Sequence, residues 1–382
     1  MRTLRDAAEL LASADSIDSL APIAAALGCD GAPSPLDRDT RRSLGLEDPV
    51  VDAQVAAGSG ALRALLIVVR SGAPLRDALT RVANRLAARA PHVLWIVVAA
   101  QPETGEVAII AWTGDRHPPR VAALVVNRRR LVDSDAETLR ALASTAGDRD
   151  LLAHARWVEI LGRGALTIRF YRALERAVAK IADSSRVGPR DVRDELALLD
   201  TSRLLFLSFL EAKGWLDDDR AFLSHQFDRC MTAGRTFHDR VLRPLFFGTL
   251  NTPARRRAPA ARAFGRIPFL NGGLFARTAL ERRWRGMTFS DEAYGSLIYD
   301  LFAQYRFTAG EETSSWSEAA VDPEMLGRAF ESLMVSDERR RTGAFFTPFA
   351  LVERVARSGL EAAVGDRVAQ ILDAASPTIG QR

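Results

Sequence analysis

Cysteine, lysine and long apolar runs are scarce in this chain of 382 residues. Its two cysteines, Cys29 and Cys230, supply neither a disulfide framework nor a zinc site. The longest apolar runs, such as residues 65–69 and 93–100, are far too short to span a bilayer, and the first residues do not read as a signal sequence. These absences argue against a disulfide-stapled secreted protein and a membrane protein, and they predict a cytoplasmic location.

Nearly every positive charge is an arginine, since Lys180 and Lys213 are the only lysines. The formal net charge of +4 and a pI near 9.5 permit nucleic-acid binding without demonstrating it. Arginine clusters near the middle and the C-terminal part of the chain are candidates for phosphate contacts with double-stranded DNA, and the alternative is a solvated loop face. The candidates are Arg255, Arg256, Arg257, Arg262, Arg266, Arg339, Arg340 and Arg341.

The apolar pattern predicts an α+β protein that is mostly helical. Four apolar runs of strand length lie at 62–69, 93–100, 107–112 and 121–126, and a helical pattern over 75–89 separates the first two. Further on, helical spacing dominates, and the run 204–210 is apolar on all sides, which predicts a buried helix. We therefore expect an N-terminal helical segment (1–45), a small α/β domain (46–148), a helical domain (149–335) and a last part at 336–382.

Residues 339–352 read as a basic turn, a short extended segment and a helix start. Thr347 is a good N-cap residue, and Pro348 at the first helical position needs no N–H donor there. A helix N-terminus of this kind suits a carboxylate or a phosphate. A well-capped helix without a ligand is the simpler interpretation.

The string Gly343-Ala-Phe-Phe-Thr-Pro348, followed by Leu351-Val352, resembles motif X of N6-adenine DNA methyltransferases. Three upstream strings, at 204–216, 268–275 and 323–331, are similar to stretches of type IIG restriction–modification proteins and phage-exclusion methyltransferases, and they occur in the same order. The resemblance implies that 336–382 begins a class I methyltransferase domain that binds S-adenosyl-L-methionine. The implied cofactor residues are Gly343, Phe345, Phe346, Thr347 and Pro348, with Phe346 packing on the cofactor and Thr347 donating a hydrogen bond.

The chain departs from this family in lacking the Gly-rich cofactor loop and the Asn-Pro-Pro-Tyr string that holds a flipped adenine. No catalytic residue is therefore assigned, and we expect a truncated enzyme or one whose catalytic half is a second chain. The resemblance implies DNA handling and one wall of the cofactor pocket in a site-specific adenine-N6 methyltransferase of a restriction–modification or phage-defence system. The alternative is a non-catalytic helical scaffold or DNA-binding subunit of a defence complex.

Many members of this family carry an N-terminal nuclease of the Asp…Glu-x-Lys type, in which carboxylates hold Mg²⁺. The strand at 62–69 ends in Val68-Val69-Arg70 and offers no acid, while Asp52 upstream has no partner carboxylate in the sequence. The only Glu-x-Lys string is Glu211-Ala-Lys213, at a helix end where both residues are ordinary surface residues. We expect no metal site, and a degenerate nuclease-like fold is one interpretation of the α/β domain.

Overall fold

The computed structural model describes residues 3–114, 118–270, 273–308 and 316–321, together with Leu360 and Val364. The chain divides into two compact units, residues 1–323 and residues 324–382. The fold is α+β and mostly helical, as the sequence predicts.

Seven strands among the described residues form one mixed sheet, in which spatial order follows chain order. Two pairs of neighbours, β3 with β4 and β6 with β7, are parallel, and all other pairs are antiparallel. The strands are β1 Ser34–Pro35, β2 Val50–Ala57, β3 Leu62–Val69, β4 Leu94–Gln101, β5 Glu106–Trp112, β6 Val121–Asn127 and β7 Trp316–Glu318.

Helices cover both faces of the sheet, which explains why its central strands read as continuous apolar runs rather than alternating ones. One face packs against α1 (Leu4–Ser13), α2 (Ile17–Ala26), α5 (Asp133–Ala143) and α6 (Asp150–Leu161). The other face packs chiefly against α4 (Leu75–Arg89), the crossover helix between β3 and β4, while the short α3 (Arg38–Leu44) lies beside α4. The N-terminal helices thus belong to the core of the sheet domain.

The helical region follows the sheet domain in the chain. Its longest helices are α7 (Arg163–Ser184) and α8 (Arg190–Ala212), and α9 is Phe222–Thr232. Shorter α-helices are α10 Pro259–Arg262, α11 Ala279–Arg283 and α12 Asp291–Ser296. π-helical segments are His238–Leu242, Pro244–Leu250 and Leu297–Leu301, and 3₁₀ turns are Ala254–Arg256, Gly273–Phe275 and Phe302–Gln304. In the part of the chain that the structure describes, no helix combines the length and the apolar character needed to cross a membrane.

The buried axis predicted for the helical region is confirmed, because α8 is buried at most positions from Leu196 to Leu210. It ends at Ala212, shortly before Gly214, whose φ of 74° is left-handed. The apolar spacing over residues 4–20 predicts one helix, but these residues form the two separate helices α1 and α2. The string at 323–331 lies outside the described residues.

The start of α5 differs from what its sequence predicts. The spacing Ser134-x-x-Glu137 predicts a capping box that opens this helix. Instead, the Asp135 carboxylate accepts a hydrogen bond from the Val132 N–H at 3.0 Å. The Ser134 hydroxyl accepts one from the Arg306 N–H at 3.3 Å. The Arg306 guanidinium also donates to both Asp135 oxygens, with the Nε–Oδ1 pair at 2.9 Å, so the helix start is tied to residues far along the chain.

We expect Asp135→Ala to lower the free energy of unfolding by about 3 kcal/mol, because Asp135 is 0% exposed and its loss leaves Arg306 without its carboxylate. Asp133→Ala is the matched control: this exposed carboxylate is in the first turn of the same helix. Its loss should change stability by no more than about 0.5 kcal/mol. Equal effects of the two variants in denaturant titrations would contradict the structural role given to the Asp135–Arg306 pair.

Candidate nucleic-acid interface

The predicted cofactor residues Gly343, Phe345, Phe346, Thr347 and Pro348 lie outside the described residues, as do Arg339, Arg340 and Arg341. Their roles stay predictions. The remaining candidates for DNA contact, in the segment 252–268, are all described. The upstream strings at 204–216 and 268–275 are described as well, except for residues 271 and 272.

A buried arginine joins the two upstream strings. Arg203, one residue before the apolar run of α8, is 0% exposed. Its guanidinium donates to the backbone oxygens of Leu274 at 2.7 Å and Ala276 at 3.0 Å. The same guanidinium forms a bidentate ion pair with the Glu281 carboxylate, with N–O distances of 2.6 and 3.1 Å. The Phe206 and Phe275 rings pack edge to face with centroids 5.9 Å apart, so residues 273–281 are fixed on α8.

Arg257 is a structural residue and is not available to DNA phosphates. It is 6% exposed, and its guanidinium donates to the backbone oxygens of Thr252, Ile267 and Pro268 at 2.8–3.2 Å. These bonds close the segment 252–268 into a loop. Burial lowers the pKa of the Arg257 guanidinium, but the side chain remains charged in the normal pH range. We therefore remove Arg257 from the predicted set of phosphate contacts.

The other four arginines of this loop, Arg255, Arg256, Arg262 and Arg266, are exposed. Among the described residues, no side-chain hydrogen bond or ion pair occupies Arg255, Arg256 or Arg262, and Arg266 has only a 4.0 Å contact with Asp217. Free guanidinium groups on a fixed loop can contact phosphates in the bidentate manner that arginine favours. These four residues and Lys213 are called the basic loop surface below.

A second loop, residues 213–218, meets the basic loop at Asp217. The Asp217 N–H donates to the Arg266 backbone oxygen at 3.2 Å, and the Arg266 N–H donates to Asp217 Oδ1 at 2.8 Å. Close contact needs the glycine at 265, where a Cβ atom would lie 2.3 Å from Asp217 Cγ and where φ is +83°. The C-terminal end of α8 and the basic loop therefore form one continuous surface.

The expectation that Glu211 is an ordinary surface residue is wrong. Glu211 Oε2 accepts a hydrogen bond from the Leu223 N–H at 2.8 Å, at the start of α9, and burial raises the pKa of its carboxyl to about 7. It lines a cleft of about 670 Å³ together with Glu106, Asn127, Arg130, Arg220 and Arg306. A carboxyl group with a pKa near neutrality is a candidate for proton exchange, although helix capping alone accounts for its position.

The structure places Asp52 of β2 directly opposite Val68 of β3. An Asp…Glu-x-Lys nuclease would need a second carboxylate near such a position to hold Mg²⁺. Within the described residues, no group of three or more His, Cys, Asp or Glu side chains could hold a metal ion. His225 and His238 contact Asp219 and Asp239, and the thiol of Cys230 donates to the Arg235 backbone oxygen, so each has a structural partner.

One curated relative is similar to part of this chain. It is a protein of Methanocaldococcus jannaschii that is provisionally named a type II restriction enzyme and methyltransferase, and it is 28% identical over 186 residues. The similarity covers 47% of this chain and 16% of the relative, so the chain spans only a small part of that protein. No protein-family profile matches the sequence, and no solved structure matches it. About half of the chain is thus related to a protein named for restriction and modification.

We expect Arg257→Met to lower the stability of the protein much more than Arg262→Met, because Arg257 is buried and Arg262 is exposed. Loss of three hydrogen bonds to backbone oxygens should make Arg257→Met less stable by roughly 2–3 kcal/mol. Arg262→Met removes an exposed side chain and should change the free energy of unfolding by less than about 0.5 kcal/mol. Thermal and chemical denaturation measure both values, and a stable Arg257→Met protein would contradict the closed loop described above.

The raised pKa of Glu211 predicts a specific pH dependence of stability. Because the folded-state pKa of about 7 exceeds the ordinary pKa of a glutamate, 4.5, the stabilisation is complete below about pH 4.5 and is lost as the pH rises through 7. The free energy of unfolding of wild type relative to Glu211→Gln should therefore fall between pH 5 and pH 8 by on the order of 2 kcal/mol. Asp219 and His225 also face this carboxyl group, but they are present in both proteins.

Glu103→Gln is the control for this titration, since Glu103 is exposed in the turn between β4 and β5. The difference in the free energy of unfolding between Glu103→Gln and wild type should not change over pH 5–8. A pH-independent difference between wild type and Glu211→Gln would show that the Glu211 carboxyl does not titrate in this range.

Proposed function

We propose that this chain is the DNA-handling part of a site-specific adenine-N6 methyltransferase of a restriction–modification or phage-defence system. The observation that carries the proposal is the similarity of about half of the chain to a protein named as a restriction enzyme and methyltransferase. The order of the three upstream strings and the motif X-like string supports the same class. Because such enzymes act on DNA, we propose that the protein works in the cytoplasm.

In this proposal the exposed arginines supply sequence-independent affinity for double-stranded DNA. Arg255, Arg256, Arg262 and Arg266 are free to contact phosphates, and the fixed backbone of their loop keeps the entropic cost of binding low. Arg339, Arg340 and Arg341 are proposed to extend the contact near the motif X-like string. The buried residues Arg203 and Arg257 have a structural role instead, since they hold the backbone of these loops in place.

Gly343, Phe345, Phe346, Thr347 and Pro348 are proposed to form one wall of an S-adenosyl-L-methionine pocket. A helix that begins at Thr347-Pro348 would direct free N–H groups at the carboxylate of the cofactor. The cofactor would supply the methyl group. The Gly-rich loop and the Asn-Pro-Pro-Tyr string that complete the site in this family do not occur in these 382 residues, so a second chain or segment must provide them.

The second candidate function is a non-catalytic scaffold or DNA-binding subunit of a defence complex. The observation that favours it is the make-up of the sheet domain, where Asp52 faces Val68 and no cluster of metal ligands occurs among the described residues. Both candidates bind DNA, and they differ in whether the chain takes part in methyl transfer.

Methyl transfer from labelled S-adenosyl-L-methionine to double-stranded DNA tests the proposal. We expect no transfer by the purified chain, because the adenine-holding string is absent, and we expect transfer when a chain with a Gly-x-Gly loop and Asn-Pro-Pro-Tyr is added. Phe346→Ala and Thr347→Ala should then reduce transfer, whereas Leu151→Ala, which removes an exposed side chain of α6, is the control that should not affect cofactor use. Transfer by this chain unaided would contradict the assignment of the catalytic half to another polypeptide.

A further inference from the structure

Trp215 differs from the other five tryptophans of the chain in its exposure. It is 53% exposed, whereas Trp95, Trp112, Trp157 and Trp316 are each at most 6% exposed, and Trp284 is half-buried. More than half of the Trp215 surface therefore remains in contact with water and gains nothing from the hydrophobic effect in the folded chain. Large exposed aromatic side chains are common where a protein binds a partner.

The turn that carries Trp215 is held in one conformation. The Trp215 N–H donates to the Leu210 backbone oxygen at 2.9 Å, and the next residue, Leu216, is 0% exposed and acts as an anchor. Gly214 has a left-handed φ of 74°, which ends the helix and turns the chain. The indole is therefore presented on a fixed backbone, which reduces the entropy lost on binding.

One cation lies beside the exposed ring, since Lys213 Nζ is 5.0 Å from the centroid of the indole. Trp215 is two residues from Asp217, so the two Cα atoms are at most about 7 Å apart. The Asp217 carboxylate accepts a hydrogen bond from the backbone N–H of Arg266, a residue of the basic loop surface. The exposed indole is thus carried by a turn that is hydrogen-bonded to the loop with the exposed arginines.

We propose that Trp215 stacks on an unpaired base of DNA while Lys213, Arg262 and Arg266 contact the neighbouring phosphates. This inference rests on the proposed function, and it goes beyond it by assigning a preference for single-stranded or locally opened DNA. Stacking on indole suits every base because each has a π-face, and cations beside the ring bind the backbone that accompanies the base. Arginines alone would bind duplex and single strands through charge and would not need the indole.

The first measurement uses the full chain and its own fluorescence. Since Trp215 is the most exposed of the six tryptophans, addition of a single-stranded oligothymidine should quench the exposed component of the emission. A duplex of the same length should quench it less. Trp215→Phe should keep binding the oligothymidine and lose the quenching signal, which would assign the signal to this residue.

The second measurement compares affinities of variants. Trp215→Ala should weaken oligothymidine binding by about tenfold, should change duplex binding little, and should leave the salt dependence unchanged. Arg262→Ala with Arg266→Ala should weaken both forms and reduce the slope of log affinity against log salt by about two. Leu151→Ala is the control for loss of an exposed apolar side chain, since Leu151 is 68% exposed on α6, and it should bind like wild type.

The outcomes distinguish this inference from the proposed function. Salt-dependent binding of both DNA forms with identical affinities of wild type and Trp215→Ala would overturn the stacking role and leave the proposed function intact. No binding of either form would overturn both. Two results together would support base stacking at this position. Oligothymidine should quench the fluorescence of wild type and not that of Trp215→Phe, and Trp215→Ala should bind oligothymidine about tenfold more weakly than wild type.

Discussion

The helical region depends on one buried positive charge. Arg203 has no exposed surface, and a charge in such a position is tolerated only where its N–H groups are paired. Glu281 neutralises it, two backbone oxygens accept from it, and the Phe246 and Phe247 rings lie 5.3 Å from the guanidinium carbon. Removal of Glu281 would leave the buried charge without its paired carboxylate, so the loop around Glu281 cannot leave α8 at low energetic cost.

This constraint explains how a region with many short turns can present side chains in fixed places. Residues 273–281 are fixed to α8 by Arg203, and the loop at 252–268 is closed by Arg257. The Asp217–Arg266 hydrogen bonds then tie this loop to the end of α8. Buried arginines thus act as connectors, while exposed arginines of the same loops remain free for phosphate contacts. A cluster of arginines in a sequence can therefore contain buried structural residues as well as exposed residues that are able to contact phosphates.

Sequence patterns predicted the elements whose periodicity is strong and missed those that depend on distant partners. The bounds of α4 and β3 match the predicted ranges, because their apolar residues fall at the spacing expected for a helix and for a buried strand. β2 was missed because Asp52 and Gln54 interrupt its apolar pattern, and the three residues of β7 gain their strand character from pairing with β6. The burial of Arg257 and Glu211 follows from contacts with other segments, which no local pattern encodes.

The sheet domain raises the question of what it contributes to the protein, since Asp52 has no second carboxylate opposite it on β3. Hydrolysis assisted by Mg²⁺ needs several oxygen ligands around one ion. In the pair formed by Asp52 and Val68, only Asp52 offers such oxygens. An acidic residue in place of Val68 would bring the number of carboxylates at this position to two. This is still fewer than the ligands that nucleases of this type use to hold Mg²⁺. What the sheet does provide is two packed faces and, through Asp135 and Arg306, a direct link to the end of the helical region. Its contribution in the proposed function is therefore to hold the DNA-contacting loops on a stable base.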